Sequence, residues 1–315
     1  MPLQMTAAGA RVIDPVLTNV ARGYSNTELV GMALFPSVAV AQRGGKIITF
    51  GKEAFMAYTT ARAPGANTRR IQVGYASGSY ALEAHSLEGL VPYELLQDAA
   101  AVPGVDLGNR AVRTVQDIIA LRLEQAQATL ATTAANYAAA NKTTLSGTAQ
   151  WSDLTSGASD PINNIETAKE AIRTATGRRP NTIVMGPVVA SKLREHPKII
   201  DRIKYTGRDI PTNELLAGLF GVQRVLVGDA VQATDAGVMS DVWGKFVVVA
   251  YTEIGSVADA GRPSYGYTYR LNNYPIVEQP YQERNAKSWI YPVTDEVSAV
   301  IAGAEAGYLI SAAVA

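Results

Sequence analysis

Apolar residues recur along positions 106 to about 138 at Val112, Val115, Ile119, Leu123, Ala126, Leu130, Ala134 and Tyr137. The steps between them are always three or four, the period of one face of an α-helix. Asp106 stands where an N-cap belongs, and Arg110, Arg113, Asp117 and Arg122 lie off the stripe. About 33 residues rising ~1.5 Å each give a rod of roughly 50 Å. The stripe is narrow and rich in alanine, so the pattern predicts something packed closely along the whole rod. No second stripe accompanies it, and no coiled coil is expected.

Residues 1–43 read as an extended arm with short helical pieces. Asp14-Pro15 marks a turn or helix start, Asn26 to Val30 can begin a short helix, and Phe35-Pro36 ends any helix before it. Residues 44–82 read as a long hairpin: Gly44-Gly45 opens it, Lys46 to Phe50 runs out, Ala63 to Asn67 turns, and Arg69 to Tyr75 returns. It holds too few large apolar residues for a core of its own. An unpacked hairpin is marginal in water, so this one is expected to lean on another subunit.

After the rod, Asn141 to Asp160 reads as a loop rich in Ser, Thr and Gly. Helix and strand then alternate. Asp160 caps and Pro161 opens a helix carrying Ile162, Ile165, Ala168 and Ile172, which Gly177 stops. Strands follow at Thr182–Met185, Arg224–Val227 and Gly244–Tyr251, with a helix near 188–196 and an apolar run Leu215–Phe220 between them. This is the pattern of an α/β lobe. Tyr265, Tyr267, Tyr269 and Leu271 then alternate with Gly266, Thr268 and Arg270 as in a half-buried strand. Lys287 to Tyr291 and Val297 to Ile310 read as two further strands.

The charge balance narrows the function. Lys plus Arg number 28 and Asp plus Glu number 28, which leaves no electrostatic footprint for tight nucleic-acid binding. There is no cysteine, so disulfides, thiol nucleophiles and Cys-held metals are excluded. The first 30 residues hold no continuous apolar core of a signal peptide, and no run of 18 apolar residues suggests a membrane span.

No G-x-S-x-G, P-loop, G-x-G-x-x-G or H-E-x-x-H motif occurs. Gly44-Gly45-Lys46 is followed by Ile47-Ile48 and reads as a turn entering a strand. His196, in Arg194-Glu195-His196-Pro197-Lys198, reads as a cation at a helix C-terminus, suited to the helix dipole. His85 follows Glu83 in an alternating segment and lacks further ligands for a metal. Glu94 and Asp98 are four apart and could share a helix face as a catalytic pair, although capping and surface charge explain them more simply. No cofactor or metal is expected. Tyr outnumbers Phe 15 to 5, a bias that suits extensive interfaces.

The stretch Gly89-Leu90-Val91-Pro92-Tyr93-Glu94-Leu95-Leu96-Gln97-Asp98 stands just ahead of the rod. It resembles a segment that often precedes the long spine helix of tailed-phage major capsid proteins of the Hong Kong 97 type. The order of parts resembles that family over nearly the whole chain, although no single motif is specific. The resemblance implies an α+β fold with an N-terminal arm (1–43), an extended E-loop hairpin (44–82), a peripheral domain (83–159 and 265–292) and an axial domain (160–264 and 293–315). It implies a non-enzymatic subunit that joins copies of itself into pentamers and hexamers of an icosahedral head enclosing double-stranded DNA. The implied location is the virion, assembled in the host cytoplasm. The implied partners are other copies, a portal, decoration proteins and a separate scaffolding protein if any, since no long charged pre-segment opens the chain. Contact with packaged DNA would be weak, and no membrane is involved. An encapsulin-type nanocompartment shell and, further off, a carboxylate-dependent α/β enzyme remain alternatives.

The basic hairpin tip, Arg62, Arg69 and Arg70, is expected either to be solvated or to dock on acidic residues of an adjacent subunit. Candidates are Glu83 and Glu88, or Glu94 and Asp98. The loops Thr206–Asn213 and Gln232–Ser240 are expected near the ring axis. Lys46 and Lys52 sit near the hairpin base, so no lysine cross-link between subunits is expected.

Overall fold

The computed structural model describes residues 17–18, 29–49, 61, 76–100, 106–203, 211–233, 237–253 and 264–315. Two sheets dominate it. One has five strands in the order β5 (Lys142–Thr144), β15 (Gly307–Ser311), β10 (Val247–Ala250), β6 (Thr182–Met185) and β7 (Arg224–Val227). β6 and β10 are buried at every position, because both faces of this sheet are covered. Alternate residues serve the two sides. Ile183, Met185, Val247, Val249 and Ile310 meet the helices Pro161–Thr176, Pro187–Glu195, Pro197–Ile203 and Asn213–Phe220 together with Trp151. Val184, Val248 and Leu309 face the other way, toward Leu34, Phe35, Ala128, Ala131, Trp243 and Tyr265.

The helix ends follow their sequence signals. The Asp160 side chain accepts from the Asn163 N–H, Pro161 is the first helical residue, and Gly177 closes the helix in the left-handed region at φ 68°. The expected loop after Asn141 instead begins with β5, which pairs in parallel with β15. Three residues were too short to read as a strand.

The second sheet has six strands: β1 (Ser37–Val40), β11 (Gly266–Leu271), β14 (Ser288–Ile301) and β12 (Ile276–Val277) along one path, with β13 (Tyr281–Glu283) and β4 (Glu83–Pro92) also pairing β14. β14 is one strand of 14 residues that joins the expected Lys287–Tyr291 to the start of the expected Val297–Ile310, while the end of the latter is a separate strand, β15, in the other sheet. Pro292 falls where β14 changes partner on one side, between the residues paired with β13 and those paired with β12, and its carbonyl accepts from the Glu278 N–H. The boundary drawn between 292 and 293 falls inside this strand.

The expected rod is a helix of 26 residues, Leu107–Thr132, about 39 Å long at ~1.5 Å per residue. Asp106 caps it, accepting from the Asn109 N–H at 3.0 Å. It ends earlier than expected, where Thr129, Thr132 and Thr133 turn their hydroxyls back onto backbone carbonyls four residues before. Its first half covers the six-stranded sheet, with Val112 and Val115 on Val277 and Val293. Gly89 of β4 lets it approach closely, since a Cβ there would press on Ala111 and Val115. Its second half covers the five-stranded sheet through Ala128 and Ala131. The helix therefore joins the two sheets. Over that second half the expected stripe is off by a fraction of a turn: Ala126 is exposed, whereas Glu124 and Gln127 are buried.

The hairpin is present at its base, where β2 (Gly44–Thr49) pairs antiparallel with β3 (Ala76–Ala81). Of the helix expected over Asn26–Val30, residues 26–28 lie outside the described residues and Leu29 and Val30 are not helical; a helix stands at Gly31–Leu34 and ends ahead of Phe35-Pro36. Asp14-Pro15 lies outside the described residues.

Candidate functional site

The hairpin base is held to the six-stranded sheet by charge and by ring stacking. Arg43 grips Glu296 with two parallel hydrogen bonds, Nε to Oε2 at 2.6 Å and Nη2 to Oε1 at 2.8 Å. That grip holds the Glu296 carboxyl below its usual range. Tyr80 stacks on Tyr269 with centroids 4.4 Å apart, and Ile47 is buried with Val38 and Val40. Asp295, the next residue on β14, is buried and paired with Arg270 at 3.1 Å. Burial pushes its carboxyl up despite that partner.

The four carboxylates singled out in the sequence are all exposed. Glu83 and Glu88 stand five apart on β4 and so fall on opposite faces of the strand. Glu88 accepts from the Tyr281 hydroxyl at 3.2 Å, and Glu83 lies 4.0 Å from His85. Glu94 and Asp98 share the helix Tyr93–Ala100 one turn apart, both open to solvent. Among the described residues no group of three His, Asp or Glu is placed to hold a metal. Arg62, Arg69, Arg70 and Lys52 lie outside the described residues.

The most constrained polar cluster is one the sequence reading missed, because Glu and Gln on a helix normally mark its wet side. Glu124 is 1% exposed. Its Oε1 accepts from the Val30 and Gly31 N–H groups, both at 3.0 Å, and from Trp243 Nε1 at 2.7 Å; Oε2 accepts from Gly31 at 2.8 Å. Burial raises its pKa above the ordinary carboxylate value, and these donors offset only part of that. One turn on, Gln127 Nε2 donates to Thr268 Oγ1 at 2.8 Å, and that hydroxyl donates to Phe35 O at 2.9 Å. From the five-stranded sheet, Arg224 Nη2 donates to Ala33 O at 3.0 Å, and its Nε donates to Thr182 Oγ1 at 2.9 Å. The short helix Gly31–Leu34 is thus held at its N–H end by a carboxylate and at its carbonyl end by a guanidinium, which suits its dipole. Beyond it the chain enters the other sheet as β1, parallel to β11. This segment straps the two sheets together.

Two sequence expectations change here. His196 does end the helix Pro187–Glu195, but it is 2% exposed and burial lowers its pKa. Its Nδ1 faces the Lys198 N–H at 3.3 Å, which leaves Nε2 as the protonated nitrogen, 3.1 Å from Ser159 Oγ. It is a neutral, buried connector, not a cation on the dipole. Gln232–Ser240 is not a free loop: β8 (Val231–Ala233) and β9 (Met239–Asp241) form a small hairpin. Gln232 Oε1 accepts from Gln125 of the long helix. In the other expected axial loop, residues 204–210 lie outside the described residues, and Thr212 caps the helix that follows.

A family model described as phage major capsid protein E matches residues 111–236. The major capsid protein of Burkholderia phage BcepMu is 40% identical over 305 residues, 96% of each chain. The chain belongs to the phage major capsid proteins. A phage-related protein from Bordetella bronchiseptica RB50 has a crystal structure that superposes with a TM-score of 0.81 at 46% identity, over 96% of this chain and 98% of that one. The satellite phage P4 procapsid superposes at 0.51 with 11% identity, over 96% and 93% of the two chains, and shares the fold alone. The fold is the Hong Kong 97-like mixed α+β capsid fold. This capsid protein is a structural component of a virion, built to associate with itself, and the encapsulin and enzyme readings give way to that one.

Proposed function

We propose that this capsid protein closes into five- and six-fold rings of an icosahedral head that encloses double-stranded DNA. The observation that carries this reading is the hairpin base. β2 and β3 pair with each other and with no other described strand, and the sequence between them, too poor in large apolar residues for a core of its own, reads as an excursion from that base. Such an excursion is stabilised most readily by a neighbour. Assembly takes place in the host cytoplasm, with a portal, decoration proteins and any scaffolding protein as separate partners. The balanced charge, 28 against 28, supports loose contact with packaged DNA.

The peripheral domain then comprises the six-stranded sheet with the first half of the long helix, and the axial domain the five-stranded sheet with its four helices. The continuous β14 supports moving their second boundary from 292 to the turn after Ile301. Residues 44–82 act as the E-loop. Its basic tip, Arg62, Arg69 and Arg70, docks on an acidic patch of an adjacent copy, either Glu83 and Glu88 or Glu94 and Asp98. Sedimentation and negative-stain microscopy of the purified chain, with and without its scaffold, test assembly: uniform closed shells are expected, and monomer alone at every concentration and salt would overturn it. Arg69→Glu with Arg70→Glu tests the tip. Shell yield should fall while the subunit melts as before, and normal shells would leave the tip merely solvated.

A further inference from the structure

The small hairpin β8–β9 pairs with no other strand among those described, and two strands alone are marginal in water. Its faces differ. Gln232, opposite Ser240, turns toward the long helix. Val231, Ala233 and Met239 alternate with them and face away; Val231 is 45% exposed, Met239 62%, and Val238 beside them 62%. An apolar hairpin face left in water marks a contact surface. The segment is also acidic. Between Arg224 and Lys245 the sequence carries Asp229, Asp235 and Asp241 and no basic residue.

The same chain carries the complement. Arg110, Thr114, Ile118 and Arg122 follow one another at four-residue steps along the long helix and form a single exposed ridge, with Ile118 50% exposed and Arg113 exposed beside it. Neither Arg110 nor Arg113 has an ion pair among the described residues. The ridge is apolar in its middle, with Arg110, Arg113 and Arg122 outweighing Asp117 around it; the hairpin is apolar on its face and acidic around it.

We infer that the β8–β9 hairpin of one subunit packs its Val231–Met239 face on the Arg110–Ile118 ridge of a second copy. The inference rests on the assembly reading above. Charge complementarity selects the occupant, since an acidic hairpin repels the phosphates of DNA. Position gives the symmetry. The hairpin is anchored at Gln125, seven residues beyond Ile118, or about 10 Å at ~1.5 Å per residue. Two different, complementary patches on one subunit make a head-to-tail contact and not a two-fold one, and such contacts close into rings where the rotation allows.

The chain has no cysteine, which permits a clean test. Ile118→Cys combined with Met239→Cys, in shells under mild oxidant, should give a ladder from dimer upward on a non-reducing gel, because a disulfide requires Cβ atoms within about 4.5 Å. Each single variant should give none. A ladder absent from well-formed double-variant shells, or dimers from Met239→Cys alone, would overturn the head-to-tail contact. Val231→Lys with Met239→Lys puts charge of the same sign opposite Arg110; shell yield should fall at least tenfold while the melt of the free subunit is unchanged. Normal shells from that variant would also overturn it. If the unaltered chain forms no shells, the assembly reading falls and this contact falls with it.

Discussion

Replacing Glu124 by Ala decides whether its hydrogen bonds outweigh the cost of burying its charge. The substitution strands three buried donors, Val30 N–H, Gly31 N–H and Trp243 Nε1–H. Each unsatisfied donor costs ~1–3 kcal/mol, or roughly 3–9 kcal/mol together. Against this, removing a desolvated carboxylate recovers several kcal/mol. The lost side chain also leaves a cavity between helix and sheet, which adds to the cost. The net expectation is a loss of about 3 kcal/mol, or ~6 °C at roughly 2 °C per kcal/mol for a chain of this size. Urea denaturation of the unassembled subunit at neutral pH measures it. Glu124→Gln keeps one acceptor and should lose only ~1–2 kcal/mol. Trp243→Phe deletes the indole donor, and the double-mutant cycle with Glu124→Gln should show a coupling of ~1 kcal/mol. If Glu124→Ala unfolds at the same urea concentration or a higher one, desolvation dominates and the strap is not held by this carboxylate.

Three further outcomes follow from the same geometry. Because the folded chain holds the Glu124 proton more tightly than the unfolded one, stability linked to this group rises as pH falls through the folded pKa toward the ordinary value near ~4.3; Glu124→Gln should lack that rise in urea titrations at neutral and mildly acidic pH. Gly31→Ala places a Cβ against Gln127 Oε1 and Glu124 Oε2, and these side chains can retreat only by loosening the Gln127 Nε2–Thr268 and Glu124–Gly31 hydrogen bonds, so a loss of ~2 kcal/mol is expected by the same denaturation. His196 titrates below its ordinary value of ~6.5, so its contribution is full above that pH and is lost as pH falls through the folded value; His196→Gln should flatten the decline in melting temperature between pH 7 and 5, and an unchanged slope would refute the buried neutral assignment.

Much of this architecture is written locally. Asp106, Asp160, Pro161 and Gly177 fix helix ends through their own side chains or backbone freedom, so they could be read without the fold. The strands Thr182–Met185 and Arg224–Val227 were legible as short apolar runs between turn residues. The hairpin base was legible from Gly44-Gly45 and the composition around it.

What the sequence by itself could not determine depends on who packs against whom. Glu124 and Gln127 have no place in the apolar stripe read along the helix; the Val30 and Gly31 N–H groups, more than 90 residues away, with the Trp243 indole supply donors to Glu124, and the Thr268 hydroxyl accepts from Gln127, which makes their burial tolerable. His196 read as a cation because its position in the helix is visible locally, while the Ser159 that lies over it comes from another loop. Lys287–Tyr291 and Val297–Ile310 read as two strands; β4 and β12 keep the chain extended through Pro292 as far as Ile301, and Gly307–Ser311 leaves for the five-stranded sheet, a division that only the strand partners decide. Local chemistry set the elements of this capsid protein. Tertiary contact decided which polar groups are buried, since a buried charge is stable only where distant backbone comes to meet it.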